Sequence, residues 1–168
     1  MAEEIINKVA QSSLMVFDLE DYYPENERVV LDISQWLHAG FILKEKEFRE
    51  ALKAYDFQIF KDKLVALNCS TDAILPSWAF MLVSSYLQPI AKKVVQGNLH
   101  QLDLAFYEET IQSLDFSLYE NKPVIVKGCS KKPIPEEAYV MATQKMMHYA
   151  RSIMFGEACS AVPIFKRK

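Results

Sequence analysis

The chain of 168 residues holds three cysteines: Cys69 in "LNCSTDAILP", Cys129 in "KGCSKKPIP" and Cys159 in "FGEACSAVPIF". Each is followed by serine and, within a few residues, by proline. A thiolate is both a nucleophile and a soft metal ligand, so three of them point to zinc, to an iron–sulfur cluster or to thiol catalysis. Zinc would take Cys69, Cys129 and Cys159 plus a fourth ligand, whereas a cluster held by three cysteines would leave one iron open. Ser70, Ser130 and Ser160 would then sit beside the thiolates and support them from a hydroxyl or a backbone N–H. The spacings of 60 and 30 residues match no paired-cysteine metal motif, and the competing reading is three ordinary buried thiols.

Thiol catalysis needs a base or a helix N-terminus near the sulfur. The only histidines are His38, His100 and His148. His38 and His148 fall on helical stretches, where a surface or core-edge role is the simpler one. Lys131 and Lys132 could draw an anionic substrate, although a solvated loop is much the better reading of the pair. Asp18, Glu20 and Asp21 in "FDLEDYY" read as a solvated turn beside a strand rather than as metal carboxylates.

Other chemistries lack their residues. Glycine occurs only at positions 40, 97, 128 and 156, so there is neither a GxGxxG fingerprint nor a phosphate-binding P-loop. HExxH and GxSxG are absent too. Nineteen Lys and Arg against 22 Asp and Glu create no bulk attraction to nucleic acid or anionic lipid, so neither partner is expected. "MAEEIINKVAQSS" lacks the order of a signal peptide, and no apolar run approaches the roughly 20 residues of a membrane span. A cytoplasmic protein with reduced thiols is expected; small-molecule and protein partners stay open.

Positioning these residues requires a scaffold, and its elements repeat. Glu47–Phe80 aligns with Phe106–Tyr139: Asp56 and Phe57 meet Asp115 and Phe116, Lys63 meets Lys122, Cys69 and Ser70 meet Cys129 and Ser130, and Pro76 meets Pro135. Further on, Ala91, Val94 and Gly97 meet Ala150, Ile153 and Gly156, and the same register sets His100 opposite Cys159, which makes His100 the first candidate for a fourth ligand. Amphipathic period alone aligns apolar positions, but it does not align prolines, glycines and a Cys-Ser pair.

Each unit reads helix, strand, helix, strand, with "LVALNC" and "PVIVKGC" as buried strands ending at a cysteine. Pro76 and Pro135 suit the first position of the helices that follow, and Pro89 should end or kink the first of these. "LMVFDLEDYYPENERVVLDI" suggests two strands joined at a turn, "SQWLHAGFI" a short helical stretch opened by Ser34, and "AVPIF" an edge strand. The fold class is α/β: one domain over 1–168 with a mostly parallel or mixed sheet flanked by helices, comprising N-terminal strands and short helix (1–42), repeat units 43–100 and 102–159, and a tail, 160–168. In parallel α/β sheets ligands gather at the carboxyl ends of strands, where Cys69 and Cys129 are placed. Their loops converge if the two strands are neighbours.

The segments "DLEDYYPENERVVLDI", "ILKEKEFREAL", "CSTDAILPSWAFMLVSSYLQPIAKKVV" and "SIMFGEACSAVPIFKRK" resemble an uncharacterised bacterial family described as a domain of unknown function. The resemblance spans essentially the whole chain and includes the Cys-Ser segments. It implies a free-standing cytoplasmic protein and assigns no activity or cofactor to any residue. Two functions therefore stand side by side: a zinc or iron–sulfur site at Cys69, Cys129, Cys159 and His100, or an interaction or scaffold protein with buried structural cysteines.

Overall fold

The structure, a computed structural model, describes residues 13–128, 131–157 and 160–168. Cys129, Ser130 and Cys159 lie outside the described residues. In chain order the elements are β1 (Met15–Phe17), β2 (Arg28–Asp32), α1 (Glu45–Ala54), β3 (Leu64–Asn68), α2 (Ser77–Leu87), β4 (Lys93–Gln96), α3 (Leu99–Ser113), β5 (Pro123–Val126), α4 (Glu136–Met146), β6 (Ser152–Phe155) and β7 (Val162–Lys166). The expected α/β class holds, and the strands are shared between two sheets, in the orders β2-β3-β4 and β1-β5-β6-β7. The chain divides into two compact units, Pro24–Phe106 and the remainder, Met1–Tyr23 with Tyr107–Lys168.

In Pro24–Phe106 all strand pairs are parallel, with Arg28 opposite Leu64 and Leu64 opposite Lys93. Leu31, Val65 and Leu67 face Phe48 and Leu52 of α1 and Ala79, Val83 and Leu87 of α2. Leu64 and Ala66 point the other way, onto Leu102 in the first half of α3. Both faces of β3 are thus covered, which is why its sequence is a continuous apolar run instead of an alternating one. α1 buries Phe48 and Leu52 one turn apart and carries Glu45 and Glu47 in its first turn and Lys53 in its last, the charge order its dipole favours.

The other unit is built on parallel β1, β5 and β6, with β7 antiparallel at the edge of β6. Pro163 is tolerated there because an edge strand need not donate outward. Phe17 of β1 packs against Phe116 and Tyr119, with ring centres 5.4 and 6.0 Å away. The buried Tyr107 hydroxyl donates to the Leu19 carbonyl at 3.1 Å. Lys145 of α4 donates to the carbonyls of Ile111, Gln112 and Leu114 at 2.7, 2.8 and 2.6 Å, so a cation closes the C-terminal end of α3.

The segments aligned in sequence share local geometry. Asp56 and Asp115 each accept from the backbone two residues on, at 3.0 and 2.9 Å. Asp62 and Asn121 both take positive φ, 59° and 55°. Their N–H groups donate to Ile90 and Tyr149 at 3.1 and 3.0 Å, and those of Gly97 and Gly156 to Leu67 and Val126, both at 3.0 Å.

Three local expectations change. Asp32, not Ser34, caps the 3₁₀ turn Ile33–Trp36, because a carboxylate can accept the Ser34 N–H from one residue before the turn. Pro76 and Pro135 are the residues just before α2 and α4, held extended, rather than the first helical residues. β1 and β2 enter different sheets, each pairing with a strand far along the chain instead of meeting at the intervening turn. Pro89 does follow the end of α2, as expected.

Candidate functional site

Parallel strands leave their last carbonyls and the loops beyond them on one edge, and in Pro24–Phe106 that edge is rich in polar side chains. Asn68 ends β3, and its Oδ1 accepts the Cys69 N–H at 2.8 Å, bending the chain away from the strand. The half-buried Cys69 thiol lies 3.6 Å from the Thr71 carbonyl oxygen and 3.5 Å from Thr71 Oγ1. Thr71 Oγ1 donates to the Gly40 carbonyl at 2.6 Å and so ties the loop to the segment after β2.

On the far side of β4, Gly97 has a φ of +143°, a region that disfavours a β-carbon. A Cβ at that position would also lie 2.2 Å from Gln101 Oε1. Glycine therefore lets the Gln101 side chain fold back over the backbone. Its Oε1 accepts the Asn98 N–H at 2.9 Å while Asn98 Oδ1 accepts the Gln101 N–H at 3.0 Å, a reciprocal cap on the start of α3.

Between these loops lies a cavity of about 450 Å³, lined by Asn68, Cys69, Thr71, Gln96, Gly97 and Gln101 with apolar side chains behind them. A second cavity, about 290 Å³ within the other unit, is lined mainly by apolar groups such as Val126, Tyr139, Ile153 and Ile164. Orientation of a ligand requires convergent polar groups, which the first has and the second largely lacks.

Ser70 binds Asp32. Asp32 Oδ1 accepts the backbone N–H groups of Ser34 and Ser70, each at 3.0 Å, and the Ser70 hydroxyl donates to Oδ2. Burial pushes the Asp32 carboxyl up, but the hydrogen bonds from the Ser70 hydroxyl and from the Ser34 and Ser70 backbone outweigh it and bring it to about 2. Because that value lies below the ordinary 3.8, the stabilisation is complete above about pH 4 and is lost as pH falls through about 2. In denaturant melts, the stability difference between wild type and Asp32→Asn should shrink across that window by on the order of 1 kcal/mol, allowing for solvent screening. A difference that stays constant down to pH 2 would show that these bonds do not hold Asp32 ionised.

The other singled-out residues lie elsewhere. His100 is exposed on the first turn of α3, and His38 Nδ1 lies 3.0 Å from Lys44 Nζ. In the other unit, Asp18 accepts the Glu20 N–H at 2.9 Å and pairs with Lys127 at 2.8 Å, Glu20 accepts from the Lys131 backbone, and Lys132 lies 4.9 Å from the centre of the Tyr23 ring. Asp18 thus shapes a turn, as its sequence context suggested.

Among the described residues no group of three or more His, Cys, Asp and Glu side chains is placed to hold a metal ion. The route proposed for bringing Cys69 and Cys129 together required neighbouring strands, and β3 and β5 belong to different sheets. Sequence reasoning placed Cys69 correctly at a strand end but passed over Asn68, Gln96, Gln101 and Asp32. Asn98 and Gln101, three apart before a helix, were the available signal.

No described helix is long and apolar enough to cross a membrane. No curated protein and no solved structure matches the chain. Kinship does reach almost end to end: residues 3–167, the stretch that builds both sheets, match one protein family, and the chain therefore belongs to the family described as protein of unknown function, DUF2480.

Proposed function

We propose that this chain binds a small polar molecule at the carboxyl edge of the β2-β3-β4 sheet. The observation that carries the reading is the cavity between the β3 and β4 loops, where amide, hydroxyl and thiol groups converge on space of ligand size. The α/β fold supports it, since such sheets present ligands at this edge. The test is a screen of small polar molecules followed by amide NMR mapping. At least one compound should shift Asn68–Thr71 and Gln96–Gln101 together, and Gly97→Ala, which displaces Gln101, should abolish the shift. Compounds that all map elsewhere, or a screen with no binder, would sink the reading.

A second reading joins Cys69, Cys129 and Cys159 with His100 in a zinc or iron–sulfur site. It is favoured by the placement of the Cys69 thiol, half-buried just past the end of β3 at the sheet edge where ligands gather. Elemental analysis and an absorption spectrum on protein purified without oxygen decide it: stoichiometric metal lost from each Cys→Ala variant selects this site, and metal-free protein with three titrating thiols removes it. The matched turns and hydrogen bonds of the aligned segments support their origin in one duplicated helix-strand-helix-strand unit.

A further inference from the structure

Around the cavity at the ends of β3 and β4, the acceptor atoms of two key side chains are already used. Asn68 Oδ1 accepts the Cys69 N–H at 2.8 Å, and Gln101 Oε1 accepts the Asn98 N–H at 2.9 Å. A backbone N–H can be met only by an oxygen, so neither amide can be turned about without setting donor against donor. Each oxygen keeps a second lone pair, and what is wholly unspent on each side chain is its NH₂ group. Thr71 has already given its proton to Gly40 and the Cys69 S–H is directed at Thr71. Two fixed primary amides that line one cavity thus leave four N–H donors unspent among the described contacts.

Among the described residues no Lys, Arg, His, Asp or Glu lines this space. An anion entering it would lose hydration without meeting a countercharge, and Asp32, bonded to Ser70 beside Cys69, would repel it. A ligand carrying only donors could bond the Gln96 amide oxygen but would leave the NH₂ groups of Asn68 and Gln101 unmet. The complement of these two NH₂ groups is an uncharged acceptor.

We propose that the cavity takes an uncharged ligand through a carbonyl oxygen, an amide or a lactam, which accepts from Asn68 Nδ2 and Gln101 Nε2. The proposal rests on the cavity being the binding site. Gly97 is the positioning residue, since only its missing β-carbon lets the Gln101 amide lie where it does.

The test follows the side-chain NH₂ signals of Asn68 and Gln101 by ¹H–¹⁵N NMR during titration with three probes: N-acetylglycinamide, acetate and methylammonium. N-acetylglycinamide should shift both signals saturably, and acetate and methylammonium should not. Asn68→Asp and Gln101→Glu keep the oxygen that caps the backbone and remove the NH₂, so the fold should persist. Each should weaken N-acetylglycinamide about tenfold, the loss of one ordinary hydrogen bond. If acetate or methylammonium moves these signals and N-acetylglycinamide does not, the carbonyl assignment falls and the cavity stands. If no probe moves them, both fall.

Discussion

Replacing Arg28 by methionine is expected to lower the unfolding free energy by about 3 kcal/mol, as breaking a largely buried ion pair from one side does. Arg28 at the start of β2 is bonded through Nη1 to Asp103 Oδ2 on α3. Asp103 is only 7% exposed, and its Oδ1 has no hydrogen-bond partner among the described residues. Without Arg28 the carboxyl group would be left buried with neither oxygen satisfied by this contact. Arg28→Met with Asp103→Leu removes both sides and should recover most of the loss, within about 1 kcal/mol of wild type. Urea melts of the four members of the cycle give the coupling directly. A single Arg28→Met change costing under about 0.5 kcal/mol, the range of an ordinary surface substitution, would show that the pair does not fasten α3 to β2.

Phe17→Ala should cost about 3–5 kcal/mol, the range for emptying an aromatic site in a core. That is a large share of the roughly 5–15 kcal/mol that holds a domain folded. β1 has only three residues, and Phe17 is its one fully buried side chain. Its ring also meets Tyr22 at 5.7 Å, so truncation loosens the turn after the strand as well. The Phe17 carbonyl accepts the Lys127 N–H at 2.9 Å, and hydrogen exchange at Lys127 should quicken with the loss. The neighbouring Val16→Ala change, at a side chain 57% exposed, should stay within about 0.5 kcal/mol. Equal effects at the two positions would mean that β1 is held by its backbone rather than by Phe17.

Local patterns carried most of the element identities. "LVAL" and "VIV" are apolar without interruption and form β3 and β5, while α2 and α4 begin right after proline. Those features depend on residues within a few positions of one another. The division into two sheets does not: β1 and β2 are close in sequence, yet Met15 pairs with Val124 and Arg28 with Leu64. Nothing in "LMVF" or "RVVLD" names those partners, because parallel pairing is settled by which faces bury the most apolar surface after the chain has collapsed.

The site divides in the same way. Cys69 at a strand end and the spacing of Asn98 and Gln101 were legible from period and capping chemistry. The bond between Asp32 and Ser70 spans the gap from β2 to the loop after β3, and only the folded sheet brings them together. Cysteines attract notice because their chemistry is rare. The neutral amides Asn68 and Gln101 are of a common surface type, and their meaning lies in which of their atoms the backbone has already taken.

The pairing of β1 has a further consequence for how the chain is made. Synthesis runs from the N-terminus, so β1 emerges well before β5, and Met15 must wait for Val124 before it has a neighbour. By then every strand of Pro24–Phe106 has been released, and β2, β3 and β4 can assemble while β1 is still unpaired. A ribosome stalled before β5 would therefore carry one sheet ready to form and one orphan strand. Its apolar residues Met15, Val16 and Phe17 would be open to chaperones or to the same strand on a neighbouring nascent chain.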